Sequence, residues 1–251
     1  MKEAIILCGG LGSRLRSVIG EKQKTMTLID DTPFLVRVIN YLKSYRVTRV
    51  IFATGYKSEE IKDYFGEKYY FGVEINYSEE KTQLGTGGAI RNALSKVKYD
   101  NVLVLNGDTL FEADLYKLKN NFTKLNADIS IICKEVSDKS RYGTVKISFN
   151  EKHNQVKGEG LIVSFDEKID ESEISDKENL YINGGIYLMK KSLIETIPEN
   201  EKVSLEKDLI PLWIKEQKII GGVVSVEKFI DIGTPESLSQ YKEEQNIKNE
   251  I

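Results

Sequence analysis

The sequence predicts a three-layer α/β fold with a mixed, mostly parallel central sheet, on the basis of three observations. Short apolar, β-branched runs alternate with helical patterns from residue 4 to about residue 134, which is typical of parallel strands covered by helices on both faces. After residue 140 the pattern loosens into runs that favour antiparallel strands. The 251 residues show no internal repeat and no low-complexity linker, so we expect one domain over residues 1–251.

The first half of the chain supplies five strands and four helices. Apolar β-branched runs predict the strands, and amphipathic spacing predicts the helices between them. The first helix has Thr32 as a cap and Pro33 at the first helical position, where a missing N–H is harmless. The predicted strands are 4–8, 50–54, 73–77, 102–106 and 129–133, and the predicted helices are 33–45, 58–65, 87–97 and 115–125.

The second half adds four strands and two helices. A highly charged stretch, 166–178, is predicted to be a solvated loop between them. The predicted strands are 144–149, 161–165, 181–189 and 219–226, and the predicted helices are 205–218 and 235–248. Sheets of this kind place their ligands beyond the carboxyl ends of the strands, so residues that directly follow a strand are the first candidates for a functional site.

The composition excludes several classes of function. Basic and acidic residues nearly cancel, 36 against 39, so neither a nucleic acid nor an anionic membrane is expected as the main partner. No apolar run approaches the roughly 20 residues of a membrane span, and the N-terminal run is too short for a signal peptide, so we expect a cytoplasmic protein. Cys8 and Cys133 lie in apolar runs and His153 stands alone, which argues against a zinc site, a disulfide framework or a Cys/His nucleophile.

The first predicted strand runs directly into a glycine-rich segment, Cys8-Gly9-Gly10-Leu11-Gly12-Ser13-Arg14. Three glycines in four positions leave backbone N–H groups free to approach an anion. The segment is neither a P-loop, which ends in Gly-Lys-Ser/Thr, nor the dinucleotide fingerprint, whose third glycine would fall at Ser13 or Arg14. A tight bend explains the glycines equally well. The guanidinium of Arg14 favours a phosphate site, because it suits the charge of phosphoryl transfer.

Asp108 follows the predicted strand at 102–106 after a glycine, Gly107. The glycine lets the backbone turn so that the carboxylate faces the carboxyl edge of the sheet. Mg²⁺ takes only one or two protein carboxylates beside phosphates and water, so Asp108 is a candidate ligand with at most one partner. An aspartate that caps a turn is the competing interpretation.

A second glycine-rich stretch precedes a helix that is predicted to begin near Ala89. Gln83 can read the edge of a nucleobase with its side-chain amide. Gly85, Gly87 and Gly88 can let the base pack against the backbone, because they carry no side chain. We therefore interpret residues 83–88 as a candidate base-recognition loop.

The glycine-rich segment after the first strand resembles the signature of the sugar-1-phosphate nucleotidyltransferases, Leu-Ala-Gly-Gly-x-Gly-Thr-Arg-Leu, with Ser13 in place of threonine. The similarity continues in order along nearly the whole chain. The other matching motifs are Leu84-Gly85-Thr86-Gly87-Gly88-Ala89, Asn106-Gly107-Asp108, Phe165-Asp166-Glu167-Lys168, Asn183-Gly184-Gly185-Ile186-Tyr187 and Phe229-Ile230-Asp231-Ile232-Gly233-Thr234-Pro235-Glu236. The resemblance implies the Rossmann-like nucleotide-diphospho-sugar transferase fold. It also implies Mg²⁺-dependent transfer of a nucleoside monophosphate from a triphosphate to a sugar 1-phosphate, with release of pyrophosphate.

The resemblance further implies a role for each candidate residue. Arg14 and Lys24 act on the phosphates, and Asp108 and Asp231 hold the metal. Nucleotide binding is assigned to Leu7, Cys8, Gly9, Gly10, Gly12, Ser13, Gln83, Gly85, Gly87 and Gly88. Binding of the sugar phosphate is assigned to Tyr142, Gly143, Glu167, Lys168, Asn183, Gly185 and Glu206.

Two departures from the family pattern affect loops of the implied site. Around Lys24 the chain reads Gln23-Lys24-Thr25-Met26 where the family has Pro-Lys-Pro-Met, so the loop that carries this lysine is expected to be less rigid. The proline that usually follows Glu167-Lys168 is Ile169 here, which leaves the shape of that loop open.

Within the family, the motifs and the compact length are most similar to the D-glycero-α-D-manno-heptose-1-phosphate guanylyltransferases of surface-polysaccharide synthesis. GTP and a heptose 1-phosphate are therefore the expected substrates. Mannose-1-phosphate guanylyltransferases and the short uridylyltransferases are near neighbours. The oligomeric state stays open, a homodimer included.

Two alternatives lie outside this activity. A glycosyltransferase of the related fold usually carries Asp-x-Asp at its metal, and it has no use for the glycine-rich segment. A non-catalytic nucleotide-sugar sensor would have no need to retain Arg14, Lys24, Asp108 and Asp231 together. Release of pyrophosphate would separate all three interpretations.

Overall fold

The computed structural model describes residues 1–136, 144–149, 158–166 and 180–249. Fourteen strands occur within these ranges. They are β1 (Glu3–Cys8), β2 (Leu28–Ile29), β3 (Thr32–Pro33), β4 (Arg49–Thr54), β5 (Lys68–Tyr70), β6 (Val73–Glu79), β7 (Asn101–Asn106), β8 (Thr109–Phe111), β9 (Ile129–Val136), β10 (Thr144–Ser148), β11 (Glu159–Asp166), β12 (Leu180–Lys190), β13 (Ile220–Ser225) and β14 (Phe229–Asp231).

The same ranges contain eight α-helices and four short turns of other helical types. The α-helices are α1 (Arg16–Ile19), α2 (Phe34–Ser44), α3 (Ser58–Phe65), α4 (Gly85–Ala93), α5 (Leu115–Leu125), α6 (Lys191–Glu195), α7 (Ile210–Lys215) and α8 (Pro235–Asn249). The 3₁₀ turns are Ser13–Leu15, Lys24–Met26 and Leu94–Lys96, and Leu205–Leu209 forms a π-helical turn. Of the helices in the described ranges, none is both long and apolar enough to cross a membrane.

Ten of these strands form one central sheet in the order β10-β11-β13-β9-β12-β7-β1-β4-β6-β5. Strands β7, β1, β4 and β6 are parallel neighbours, and β13 is parallel to β9. The other neighbouring pairs are antiparallel. Strands β5, β11 and β12 therefore run against the remaining seven. The predicted fold class, an α/β fold with a mixed central sheet in which most strands run in one direction, is confirmed.

The two faces of the sheet carry separate apolar cores, because side chains alternate along each strand. In β1, Ala4 and Ile6 belong to one core and Ile5 to the other. Helices α2, α3, α5 and α8 cover the first face, and α4, α6 and α7 cover the second. The three layers leave the carboxyl ends of β1, β4, β6 and β7 together at one edge.

Three predicted helix boundaries are wrong, and each has a physical cause. Thr32 does not cap α2, because it pairs with β2 as part of β3, and Pro33 in extended conformation occupies the cap position. Helix α4 begins at Gly85, earlier than the predicted start. The predicted helix 205–218 divides into the π-helical turn and α7, because Pro211 lacks the N–H that an α-helical hydrogen bond would need there.

Candidate active site

The ends of β1 and β7 lie side by side at the carboxyl edge of the sheet. Gly107 donates its N–H to the carbonyl of Leu7 over 3.0 Å, and a Cβ at Gly107 would lie 2.8 Å from that same oxygen. Glycine is therefore required for this close approach. The approach places Asp108 next to the glycine-rich segment that follows Cys8.

A small polar cavity of about 160 Å³ brings together the four charged residues that the sequence singled out. Arg14, Lys24, Asp108 and Asp231 all line it. Lys24 forms an ion pair with Asp108 through Nζ and Oδ2. The remaining lining residues are Gly12, Ser13 and Gly233. Two cations and two carboxylates thus face one cavity large enough for phosphate oxygens and a metal ion.

The two aspartates are held together by the short two-stranded sheet of β8 and β14. Thr109 lies opposite Asp231 in this antiparallel pair. Ile232 donates its N–H to the carbonyl of Asp108 over 3.0 Å, which continues the pairing past the strand ends. Backbone hydrogen bonds consequently hold the main chains of Asp108 and Asp231 next to each other.

Asp231 lies in an environment that disfavours its charge. Burial first, and the negative charge of Asp108 second, raise the pKa of the Asp231 carboxyl above its ordinary value. The N–H of Gly233, which donates to Oδ1 over 2.7 Å, and the charges of Lys24 and Arg14 act in the opposite direction. A divalent cation would favour the charged form of both carboxylates.

The donor set of this cavity fits Mg²⁺ in chemical type. Two carboxylates leave most coordination positions to phosphate and water, which is how Mg²⁺ is usually bound. No cluster of three or more His, Cys, Asp or Glu side chains suited to a metal occurs in the part of the chain that the structure describes. An all-protein cage of the zinc type is therefore not found there.

Gln23 anchors the segment that carries Lys24. Its Nε2 donates to the carbonyl of Cys8, and its Oε1 accepts hydrogen bonds from the backbone N–H and the hydroxyl of Thr25. The backbone N–H of Gln23 donates to Glu60 Oε2 over 2.9 Å, and the residue is only 1% exposed. These hydrogen bonds attach the segment to the end of β1 and to α3, in a loop that lacks both prolines of the family pattern.

A larger cavity of about 380 Å³ adjoins the polar cavity and shares Lys24 and Asp108 with it. Its volume lies in the range of small-molecule sites. The residues of the predicted nucleotide set that line it are Leu7, Cys8, Gly9, Gly10, Gln83 and Gly85. The others are Gln23, Thr25, Glu80, Thr86, Ala89, Asn106 and Lys202. A Cβ at Gly10 would meet no atom within 4 Å, so that backbone is open to the cavity.

Gly87 and Gly88, both predicted to bind the nucleotide, pack against the chain segment before the π-helical turn. Both donate their N–H groups to the carbonyl of Val203, over 3.0 and 3.2 Å. A Cβ at Gly88 would lie 2.5 Å from the carbonyl oxygen of Glu201, and a Cβ at Gly87 would lie 2.5 Å from Cδ1 of Leu209. These glycines make room for the chain before the π-helical turn, and neither of them lines either of the two cavities. The same contacts explain why α4 begins early.

Asn183 and Glu206, both predicted to bind the sugar, are joined through Tyr187. The Tyr187 hydroxyl accepts from Asn183 Nδ2 over 2.6 Å and donates to Glu206 Oε1 over 3.1 Å. Thr86 Oγ1 donates to Glu206 Oε2 over 2.6 Å, which links this chain of hydrogen bonds to the larger cavity. Burial first, and the Glu206 carboxylate second, raise the pKa of Tyr187 well above its ordinary value, so the phenol stays neutral.

A bulge in β12 brings these residues to the active edge. The register with β9 shifts between Asn183 and Tyr187, and Gly185 takes a φ of +71°. A Cβ at Gly185 would lie 2.8 Å from Nδ2 of Asn106, and its N–H donates to Asn183 Oδ1 over 3.0 Å. Glycine is required at this position by both its conformation and its neighbour.

Four predicted sugar-site residues, Tyr142, Gly143, Glu167 and Lys168, lie outside the described residues, as does His153. Cys8 and Cys133 are buried thiols, as expected. Burial raises the pKa of both, to about 12 for Cys133, so neither is a thiolate at neutral pH.

Several residues of the site were not among the predicted site residues, and three of them are informative. Glu80 directly follows β6, and the rule that ligands bind beyond strand ends would have found it. Tyr187 belongs to a recognised motif, but its hydroxyl contacts depend on the bulge. Lys202 has no local signal, because its position depends on the packing of residues 201–205 against α4.

Comparison with known proteins gives consistent matches over nearly the whole chain. The family described as nucleotidyl transferase matches residues 3–247. The chain is 40% identical over 242 residues to the D-glycero-alpha-D-manno-heptose 1-phosphate guanylyltransferase of Aneurinibacillus thermoaerophilus, covering 96% of this chain and 97% of that protein. It is 42% identical over 234 residues to the protein of the same name from Campylobacter jejuni, covering 93% and 96%. The crystal structure of HddC from Yersinia pseudotuberculosis complexed with GMP-PN is similar at a TM-score of 0.78 and 32% identity, covering 97% of this chain and 99% of that one.

Proposed function

The chain belongs to the nucleotidyl transferase family, and we propose that it transfers the guanylyl group of GTP to D-glycero-α-D-manno-heptose 1-phosphate. The products are the GDP-sugar and pyrophosphate. The proposal depends above all on the convergence of Arg14, Lys24, Asp108 and Asp231 in one cavity, beside a second cavity of nucleotide size. The names of the two guanylyltransferase relatives and the GMP-PN complex of the third protein support guanine and heptose as the specific substrates.

The reaction requires no nucleophile from the protein. The sugar-phosphate oxygen attacks the α-phosphorus of the triphosphate, in line with the leaving pyrophosphate. Both reactants are anions, so the protein positions them and neutralises their charge. Arg14 and Lys24 provide positive charge at the phosphates, and the open backbone around Gly10 provides N–H donors. The Cys8 thiol, although it lines the cavity, stays protonated and is not a nucleophile.

We assign the metal site to Asp108 and Asp231, and the metal to Mg²⁺. When bound there, the ion supplies positive charge to the phosphates that react. Lys24 contacts Asp108 and lines both cavities, so it can reach the same phosphates. Asp231, whose carboxylate is disfavoured by burial and by Asp108, gains most from the ion.

The sugar side is assigned to the hydrogen-bonded group of Asn183, Tyr187 and Glu206. Carboxylate and amide groups of this kind bind sugar hydroxyls. Glu206 accepts from Thr86, which lines the larger cavity, and this contact supports a sugar site beside the nucleotide. By resemblance to the family, Lys168 contacts the sugar phosphate, and Tyr142, Gly143 and Glu167 complete the site.

The deciding experiment measures pyrophosphate release with a panel of substrates. GTP, ATP, UTP, CTP and dTTP are each combined with heptose, mannose and glucose 1-phosphates. We expect GTP to be preferred by up to about 10⁴, since a pocket that hydrogen-bonds one base leaves polar groups unpaired with another. Heptose should exceed mannose by at most about 10², because the two sugars differ only at the far end.

Each part of the proposal has its own contrary outcome. A preference for UTP or another triphosphate would contradict guanine. Equal use of mannose 1-phosphate would contradict heptose. Absence of pyrophosphate release with every pair, together with sugar transfer from a finished nucleotide sugar, would contradict nucleotidyl transfer itself.

A further inference from the structure

Both polar atoms of the Gln23 side chain are hydrogen-bonded within the protein. The residue is 1% exposed, and its Nε2 donates to the carbonyl of Cys8, the last residue of β1. Oε1 accepts from the backbone N–H of Thr25 and, over 2.7 Å, from its hydroxyl. An amide oxygen has two lone pairs, and both are used here. Although Gln23 lines the larger cavity, its oxygen therefore has no lone pair left for a ligand.

Lys24 is held on both sides by buried neighbours. Gln23 precedes it, and Thr25, which is only 2% exposed, follows it. Thr25 packs beside the end of β7, because a Cβ at Gly107 would lie 3.1 Å from its Cγ2. On the other side, a Cβ at Gly12 would lie 3.3 Å from the Cβ of Lys24. The backbone of the lysine is thus held between the glycine-rich segment and the end of β7.

The hydrogen bonds of this segment depend on both departures from the family pattern. The N–H of Gln23 donates to Glu60 Oε2 over 2.9 Å, and the N–H of Thr25 donates to Gln23 Oε1. Proline has no N–H, so neither hydrogen bond could form in a chain with prolines at positions 23 and 25. This chain thus has a hydrogen-bonded pair of residues where the family pattern has two prolines.

We propose that Gln23 is a positioning residue that holds the Lys24 ammonium group where the phosphates react, an inference that rests on the proposed function. Lys24 pairs with Asp108 and lines both cavities, so a displacement of its backbone would move the ammonium group relative to both. Stabilisation by a charged group depends on its preorganisation, and a misplacement of about 1 Å can cost about 10² in rate. Gln23 acts through Lys24 and not by contact with the nucleotide.

A double-mutant cycle separates this role from a direct contact with substrate. Gln23→Met keeps the length of the side chain and removes its hydrogen bonds. The cycle compares wild type, Gln23→Met, Lys24→Met and the double variant. Initial rates of pyrophosphate release, with the triphosphate and the sugar 1-phosphate that wild type uses best, give kcat and KM for each protein.

Asn121→Ala is the matched control for general loss of stability. Asn121 is also a buried amide, 2% exposed, and its Oδ1 accepts from the hydroxyl of Ser130 over 2.9 Å. It lines neither of the two cavities of the site. Its replacement should lower the midpoint of thermal unfolding, while kcat well below that midpoint stays at the wild-type value.

We expect Gln23→Met to lower kcat by about 10- to 100-fold, because the displaced charge no longer matches the transition state. KM for the triphosphate should change less than kcat, since the lost interaction is made mainly in the transition state. In the Lys24→Met background, the same change should alter kcat by no more than about twofold, because the residue through which Gln23 acts is then absent.

An unchanged kcat in Gln23→Met would overturn the inference. An equal loss of kcat in both backgrounds would also overturn it, because Gln23 would then act on another group or on the nucleotide itself. If Gln23→Met does not fold, amide hydrogen exchange of wild type decides without reference to catalysis. The N–H of Thr25 should exchange much more slowly than in an unfolded chain, and exchange at the unfolded rate would show that the segment is not held. Absence of pyrophosphate release by wild type with every substrate pair would instead be a failure of the proposed function.

Discussion

Arg14 lines the polar cavity, but its exposed side chain contributes little to the packing of the core. It lies in the 3₁₀ turn that follows Gly12, which has a φ of +59°, and its side chain is exposed while that of Leu15 is fully buried. Leu15 therefore fixes the turn, and Arg14 is free to serve the cavity. A residue of this kind is expected to affect turnover and not stability.

Arg14→Ala should lower kcat by about 10² to 10³, typical of removing one preorganised electrostatic group. The free energy of unfolding should change by no more than about 0.5 kcal/mol. Pyrophosphate release and thermal unfolding measure the two effects. Arg16→Ala is the matched control, since Arg16 stacks over Tyr56 at 5.3 Å outside the polar cavity. Near-normal turnover of Arg14→Ala would contradict the phosphate assignment.

The charged carboxylate of Asp231, unlike Arg14, is expected to lower the stability of the folded protein while it contributes to metal binding. Its pKa is raised in the folded protein, so the folded state gains stability as pH falls through that pKa and is less stable above it. Asp231→Asn removes this charge, and its amide oxygen can still accept the N–H of Gly233. The variant should unfold at a higher temperature than wild type at pH 7 in EDTA, and Mg²⁺-dependent turnover should fall on the order of 10³-fold.

Thermal unfolding from pH 4 to pH 8 checks the sign of this prediction. The difference between Asp231→Asn and wild type should shrink as pH falls and the wild-type carboxyl becomes protonated. A variant that is less stable than wild type at pH 7, or that keeps its Mg²⁺-dependent turnover, would exclude Asp231 as the second metal carboxylate.

At the scale of elements, the start of α4 shows how tertiary contacts decide a helix boundary. Glycine has a low helix propensity, so the sequence pattern predicts a later start than Gly85. The carbonyl of Val203, which accepts from Gly87 and Gly88, comes from a distant part of the chain and fixes the first turn. Such a contact has no local signature. Helices α3 and α5, which are amphipathic throughout, have the predicted bounds.

Gly88→Ala is expected to affect the packing of the fold, and Gly10→Ala is expected to affect the binding of GTP. At Gly88 the new Cβ meets the carbonyl of Glu201, so the cost of overpacking, about 1–3 kcal/mol, should outweigh the gain in helix propensity and destabilise the fold. At Gly10 the new Cβ meets nothing, so stability should be unchanged and KM for GTP should rise about tenfold. Chemical denaturation and steady-state kinetics measure both. Stabilisation by Gly88→Ala would contradict this prediction, because it would show that residues 201–205 move at little cost to accommodate the new Cβ.

Short strands, like the short helices α1 and α6, were elements that the sequence did not predict. Strands β8 and β14 have only three residues each, too few for a periodic pattern, and their stability comes from each other and from the aromatic contact between Phe111 and Phe229. The residues at their ends were nevertheless identified, because Asp108 follows a strong strand and Asp231 lies in a family motif. The pairing that joins them could only be seen in the structure.

At the scale of the whole molecule, prediction succeeded where the parallel sheet dictates position. Residues that follow β1 and β7 were expected at one edge of the sheet, and the structure places them there. The sequence pattern did not predict contacts that connect distant segments, such as Gln23 with Cys8 or Thr86 with Glu206. Those contacts depend on how the layers are packed, which no local pattern encodes.

A site built from distant segments should couple ligand binding to global stability. GTP with Mg²⁺ at about 100 times its Kd should stabilise the folded chain by about 2.7 kcal/mol. For a chain of this size the midpoint of thermal unfolding should rise by roughly 5–10 °C. Asp108→Asn should show a much smaller rise. Equal shifts in both proteins would mean that the nucleotide binds without the carboxylate.

The pairing of β8 with β14 also has a consequence for synthesis of the chain, because the proposed metal site requires β14. A ribosome that has delivered the glycine-rich segment, Lys24 and Asp108 has produced only one of the two carboxylates. The second arrives with Asp231, and it reaches its place only when β14 has left the exit tunnel and paired with β8. A nascent chain that stops before β14 lacks Asp231, so we expect it to be unable to release pyrophosphate from GTP. Premature termination before β14 should therefore yield a fragment that lacks the second carboxylate of the proposed metal site.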